Sequence, residues 1–556
     1  MGVGRPADVG LTGRAGRRSW LPDAAIAGGF LLAALLVTGE LWLRPDRMVR
    51  TTQDEVIFEW MLAHAAHAVT GLHNPFFTTA LNTPDGVNLM ANTSALGLGV
   101  PLTPVTLIFG THTAFLTGLV LALAGTAMSW YLFLRRALSV CRTAAVVAGA
   151  FCGFAPAMIS QAGGHLNLAS QFLVPPILCA VLRLGRPGRI VRGGVVLGVL
   201  VTYQVFVSEE LMLFLGLAVQ FLGPGHYRGL PFDANGYVLD LLAYATYPRQ
   251  AIAGFAETAG LLSPNPTEEN AFFGLALVGL VVVVVGWLWR DPVVKALAGT
   301  GVILAALSLG PTVQVHGRPT GLPGPQRLIG GLPLLDLAVP ARYPLVVVGV
   351  VGLLLALSID RVHRAAAAPA DAPTARLPVR LIWTGAVLAV LAPLVPTPLA
   401  SYQGPDYPPF IAQGTWQRFV PAGRSVINVP PTNGTGSMAG MLWSARTGLA
   451  IRVPGGDFMG PASDTDRTAR YGAGDRYLGA LLRQVAETGS VPPITDAGRA
   501  QALDDLRYWR AAIVVLGSVP RQRELKTAVD DLLGPGRWRD GVWLWDVTDR
   551  VDDRGR

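Results

Sequence analysis

Residues 24–43 read AAIAGGFLLAALLVTGELWL, and after a short polar break residues 51–60 read Thr51-Thr52-Gln53-Asp54-Glu55-Val56-Ile57-Phe58-Glu59-Trp60. At 1.5 Å per residue the first stretch matches the thickness of a bilayer's hydrocarbon core. The second puts an adjacent Asp-Glu pair just where the chain leaves the lipid, with Trp60, His64 and His67 following on one helical face at spacings of four and three. Carboxylates at such a boundary can have their proton affinity tuned by burial and by neighbouring charge, which suits a catalytic base. The same pair also suits the first turn of an amphipathic helix, where acids favour the backbone N–H groups.

Composition agrees with the membrane reading. Of the 556 residues 51% are hydrophobic and 14% charged, and mean hydropathy is +0.43, where a soluble domain carries about 25% charged residues. The net charge of +8 comes from 44 basic against 36 acidic residues. In a membrane chain the placement of Lys and Arg sets orientation, so this charge does not imply nucleic acid. Cys141, Cys152 and Cys179 lie in or beside apolar runs and show neither a disulfide framework nor zinc spacing.

Working outward, residues 1–23 carry Arg5, Arg14, Arg17 and Arg18 and read as a cytoplasmic tail ahead of an uncleaved first helix. Residues 44–94 then form a first external loop. Residues 95–110 are apolar but short and interrupted by Gly97, Gly99, Pro101 and Pro104, the pattern of a re-entrant or interfacial piece. Spans are expected at 113–134, 143–162, 166–184, 193–222, 271–289, 293–310, 339–359 and 379–397. With 24–43 these make nine crossings, which place arginines 135, 136, 142, 183, 186, 189, 192, 361 and 364 on the cytoplasmic side. The membrane domain is thus 24–398. From 399 to 556 short apolar strands (Ser425 to Val429, Ala511 to Leu516, Val542 to Trp545) alternate with helical patterns at 476–488, 497–509 and 520–533. This is an α/β domain, external by the odd count of crossings.

The Asp54-Glu55 pair, the run from His73-Asn74-Pro75-Phe76 through Pro84-Asp85-Gly86-Val87-Asn88 to Asn92-Thr93-Ser94, and the motifs Gly164-His165-Leu166-Asn167, Ser208-Glu209-Glu210, Leu262-Ser263-Pro264-Asn265-Pro266-Thr267-Glu268 and Pro340-Ala341-Arg342-Tyr343 together resemble the GT-C superfamily of integral-membrane glycosyltransferases. They are similar in particular to such enzymes of high-GC Gram-positive bacteria. The resemblance covers residues 20 to 400. It implies a polytopic helical membrane fold, a polyprenyl-phosphate sugar donor, an inverting transfer, a glycan, lipid or protein acceptor of the cell envelope, and a first-loop acid, Asp54 or Glu55, as base or metal ligand. The location it implies is a bacterial plasma membrane.

The chemistry is consistent with this. Sugar transfer from a lipid phosphate needs a base for the acceptor hydroxyl and cationic help for the departing phosphate. Arg342 suits the latter, as an Arg fork matches phosphate, and with Tyr343 it also suits an interfacial anchor. Asp54, His64 and His67 are the candidate ligands of a divalent cofactor. His165, Asn167, Glu209, Glu210, Asn88 and Asn92 are candidate substrate contacts, with helix capping the alternative role for Asn167. A second class stays open: a non-catalytic handler of lipid-linked glycans, a transporter or scaffold on the same fold. The absence of an internal inverted repeat weighs against the transporter.

Overall fold

The computed structural model describes residues 20–49, 54–90, 92, 94–184, 190–208, 227, 229–330, 338–366, 376–433, 437–463, 465–474 and 476–552. Helix α1 (Leu21–Leu43) leads to a short strand (Arg47–Val49) and then α2 (Asp54–Gly71). A two-residue hairpin (Phe77–Thr78, Val87–Asn88) closes the first loop. Next come α3 (Leu96–Phe109), α4 (Thr111–Arg136), α5 (Arg142–Phe154), α6 (Pro156–Ala162), α7 (Leu166–Ala169), α8 (Val174–Leu184) and α9 (Ile190–Val207).

Among the described residues five helices are long and apolar enough to cross a membrane: Leu21–Leu43, Thr111–Arg136, Arg142–Ala162, Ile190–Val207 and Pro340–Ala365. The other four expected spans are shorter helices, Val174–Leu184, Leu275–Trp287, Pro292–Leu307 and Val379–Leu394. Near residue 170 the reason is local. The chain leaves α7 at Ser170 and restarts helix only at Val174, ahead of Pro175-Pro176, so one apolar run becomes two pieces.

The stretch expected as a re-entrant or interfacial piece, 95–110, is a continuous helix of 14 residues that passes through Pro101 and Pro104 and is among the shorter apolar helices. Pro101 has no N–H to offer the Gly97 carbonyl, and the hydroxyl of Tyr203 in α9 donates to that oxygen at 2.7 Å. Gly99 lets α2 approach, since a Cβ there would sit 2.5 Å from that of Ala65.

Polar contacts sort the helix ends onto two faces. On one face Tyr131 Oη donates to Asp23 at 2.6 Å, and Arg136 and Arg142 pair with the same carboxylate. There too the Cys141 N–H donates to Asp360 at 2.8 Å. On the opposite face the end of α1 meets residues 399–403: Ser401 Oγ donates to Glu40 at 2.8 Å, and strand Arg47–Val49 pairs antiparallel with Ser401–Gln403. Between the faces lies one apolar core that includes Leu41, Phe115, Leu123, Ala148 and Leu355.

Beyond residue 399 a four-stranded mixed sheet forms. Strand Ser425–Asn428 runs parallel to Ala511–Leu516, which pairs antiparallel with Val542–Asp546, followed by the edge strand Arg537–Arg539. Helices Tyr477–Thr488, Asp496–Tyr508 and Gln522–Leu533 cover one side through Leu482, Leu506 and Val529. The other side packs on the first loop, where buried Trp60, Leu81 and Leu89 join Met441, Trp443 and Ile513. Trp60 Nε1 also donates to Ser444 Oγ at 3.2 Å.

Candidate functional site

Asp54 begins α2, and its Oδ2 lies 3.2 Å from Nε2 of His165, which precedes α7. The other ring nitrogen, Nδ1, is 2.7 Å from Gln161 Oε1. The orientation of the Gln161 amide is fixed, because its Nε2 donates to the Thr267 carbonyl and to Asn270 Oδ1, each at 2.9 Å. Gln161 Oε1 can only accept, so the His165 hydrogen sits on Nδ1. That leaves Nε2 as the ring atom that faces the Asp54 carboxylate, where a proton or a cation between the two atoms completes the contact.

The chain of contacts continues inward. Asn270 Nδ2 donates to Glu268 Oε2 at 2.9 Å, and Arg342 Nε donates to Glu268 Oε1 at 2.9 Å. The adjacent Glu269 pairs with Arg249; burial raises its carboxyl above the ordinary range, and the Arg249 charge opposes this. Thr267, Glu268, Glu269 and Asn270 are all buried. A buried acidic pair is stable only with such partners, and these partners hold His165 and Arg342 at the two ends of one polar network.

The C-terminal domain adds Asp457 and Tyr471. Burial, and then the charge of Asp54, push the Asp457 carboxyl up to about 6. Burial also raises the Tyr471 phenol, with Tyr237, Asp457 and Asp54 adding to it and Arg342 opposing. Tyr402, from the strand beside Arg47–Val49, is pushed to about 12 by burial and by Glu55 and Asp54. Asp54, His165 and Arg342 therefore share one neighbourhood with Asp457 and Tyr471.

No family model matches the chain, and no curated protein does. Among solved structures, the archaeal oligosaccharyltransferase AglB from Archaeoglobus fulgidus, in complex with an inhibitory peptide and a dolichol-phosphate, superposes with a TM-score of 0.40 at 13% identity over 90% of this chain and 70% of that one. That superposition is too loose to assign a fold or an activity.

The other expected site residues fall elsewhere. Asp54, His64 and His67 do not form a ligand set: ten residues of helix put His64 about 15 Å along α2 from Asp54. His64 Nε2 faces the Pro75 carbonyl at 3.2 Å, and His67 stacks on His73. Asn167 lies inside α7 and does not cap it; its amide reaches Ser208 Oγ at 3.4 Å. Asn92 straps the first loop to the C-terminal domain by accepting from the Met459 N–H at 2.6 Å and donating to the Met459 carbonyl at 3.0 Å. Asn88 Oδ1 accepts from the Met90 N–H at 3.0 Å. Glu209 and Glu210 lie outside the described residues.

Glu55 is not Asp54's partner. It is buried, accepts from the Val49 N–H at 2.7 Å and faces His112 Nδ1 at 3.0 Å. One turn on, buried Glu59 accepts from Arg446 through two bonds of 3.0 and 3.1 Å and from Thr111 Oγ1 at 2.6 Å. Burial pushes Glu55 above the usual carboxylate range, opposed by the His112 hydrogen bond and reinforced by Glu59. Burial acts on Glu59 too, but His112 and Arg446 outweigh it and hold the carboxyl at about 2. Glu55, Glu59 and His112 have metal-ligand atoms within 4.8 Å of one another. Arg446 already satisfies both Glu59 oxygens, so the trio is an ion-pair junction joining α2, α4 and the helix Ala439–Arg446. Sequence reading singled out neither Arg446 nor His112, because neither stands in a motif and 387 residues separate Glu59 from Arg446.

Proposed function

We infer that this is an integral-membrane glycosyltransferase of the GT-C type, which moves a sugar from a polyprenyl-phosphate donor to an acceptor at the outer surface of a bacterial plasma membrane. The observation that carries the reading is the Asp54–His165 contact, linked through Gln161, Asn270 and Glu268 to Arg342. It joins a base and an Arg fork on the helix-end face that meets residues 399–403. The arginine-rich opposite face, with Arg136, Arg142 and Arg364, suits the cytoplasmic side, which would put the C-terminal domain outside.

In this reading the acceptor oxygen attacks the anomeric carbon while its proton passes to Asp54. The bond from that carbon to the phosphate oxygen breaks as the new glycosidic bond forms, and polyprenyl phosphate leaves. Arg342, held in place by Glu268, meets the developing phosphate charge. The 3.2 Å separation of Asp54 Oδ2 and His165 Nε2 also suits two ligands of one divalent ion at about 2.0–2.2 Å each. Such an ion would supply further charge neutralisation at the phosphate. Glu55, enclosed by Val49 and His112, serves α2 instead of the reaction.

The test uses purified protein with polyprenyl-phosphate sugars as donors. Asp54→Asn is expected to keep the fold and lose about 10²- to 10⁴-fold in turnover, and titration of divalent ions on the variant separates loss of a base from loss of a ligand. Near-normal transfer by Asp54→Asn would sink the assignment.

A further inference from the structure

A groove of about 940 Å³ runs between the first-loop hairpin and the C-terminal domain. The segment that carries Asp457 and Tyr471 also supplies Phe458, Met459, Gly460 and Gly472 to the groove wall. The groove is thus next to the Asp54 neighbourhood without being part of it.

Two features of the lining restrict what can occupy it. Its charges cancel: Arg467, Arg476 and Arg483 against Asp85, Asp504 and Asp505. Several of these are already engaged, since Arg476 bonds Asp505 at 3.2 Å and lies 3.4 Å above the Tyr508 ring, and Tyr508 Oη donates to Asp85 at 2.5 Å. Such a surface offers little net field to a polyanion or a polycation. The half-buried aromatics Phe77 and Tyr477 stand beside the polar Asn82, Asn88 and Gln501, which pairs flat apolar faces with hydrogen-bonding edges.

We propose that this groove binds an uncharged oligosaccharide, whose sugar rings offer apolar faces to Phe77 and Tyr477 and whose hydroxyls meet the polar side chains of Asn82 and Gln501. Its volume lies within the range of small-ligand clefts and admits several sugar units. The further statement that this glycan is the acceptor rests on the transferase reading above; the binding itself does not.

Gly479 provides the test. It lines the groove from within the helix Tyr477–Thr488, and a Cβ built there meets nothing within 4 Å. Gly479→Trp should fold normally and fill the groove, and Gly479→Ala should fold and leave it open. Calorimetry on the full-length protein in nanodiscs would use mannohexaose, cellohexaose and maltohexaose as neutral probes, hexagalacturonate as an anionic one, and an uncharged hexapeptide. At least one neutral hexasaccharide is expected to bind wild type, Gly479→Ala and Asp54→Asn alike, and to lose at least about tenfold in affinity with Gly479→Trp. The proposal is overturned if no neutral sugar binds, if Gly479→Trp leaves binding unchanged, or if the acid or the peptide binds more tightly. Glycan binding without any transfer would count against the transferase reading alone, and transfer without glycan binding against the groove alone.

Discussion

Arg446→Met removes the cation that joins the C-terminal domain to α2 and α4. The methionine fills much of the arginine's volume, but it leaves Glu59 at 0% side-chain exposure with the Thr111 hydroxyl and His112 as its remaining partners. Removing one partner of a buried ion pair costs about 3–5 kcal/mol. Arg446 keeps 21% exposure, so its charge is partly screened and the lower end applies, about 3 kcal/mol. At about 1.4 kcal/mol per tenfold, amides of the helix Ala439–Arg446 and of the first turns of α2 should exchange hydrogen about 10²-fold faster, if they are protected by opening of this junction. Hydrogen-exchange mass spectrometry on wild type, Arg446→Met, Glu59→Gln and the double variant measures this directly. The double variant should cost well under the sum of the singles, because it leaves no uncompensated charge. Exchange unchanged by Arg446→Met, or additive costs in the double variant, would refute the junction.

Two buried groups predict opposite pH responses. Asp457 has a folded value of about 6 against an ordinary 3.8, so its contribution is full below 3.8 and is lost as pH rises through 6. After allowance for its partial exposure, Asp457→Asn should regain up to about 2 kcal/mol at pH 7 and nothing near pH 3.5, read as Tm against pH. Burial holds His64 at about 4 against 6.5, so its contribution is present above 6.5 and is lost as pH falls toward 4. His64→Asn should flatten that loss of roughly 2–3 kcal/mol, and a wild type with no stability change between pH 6.5 and 4 would contradict the burial argument. Trp60→Ala removes a fully buried indole and its bond to Ser444. It should cost about 3–5 kcal/mol and free the C-terminal domain for limited proteolysis.

What the sequence determined by itself is the local part of this structure. Hydrophobic runs longer than a bilayer is thick specify α1, α4 and the helix Pro344–Ala365, and alternation with turn residues places Ala511–Leu516 between its flanking helices, because both signals are written in neighbouring residues. Asp54, His165 and Arg342 were also visible as polar groups at apolar-helix ends. Tertiary structure decided which acid meets His165 and which lies inside against Val49 and His112. The choice depends on His165 arriving beside Asp54 and His112 beside Glu55, and no spacing within α2 encodes that. It also decided that the Gly97 carbonyl left without its helical partner by Pro101 meets a hydroxyl more than one hundred residues away on Tyr203, and that Glu59 meets Arg446. Buried charges take whichever partner the fold brings within hydrogen-bond reach, so their roles become defined only when the chain is packed.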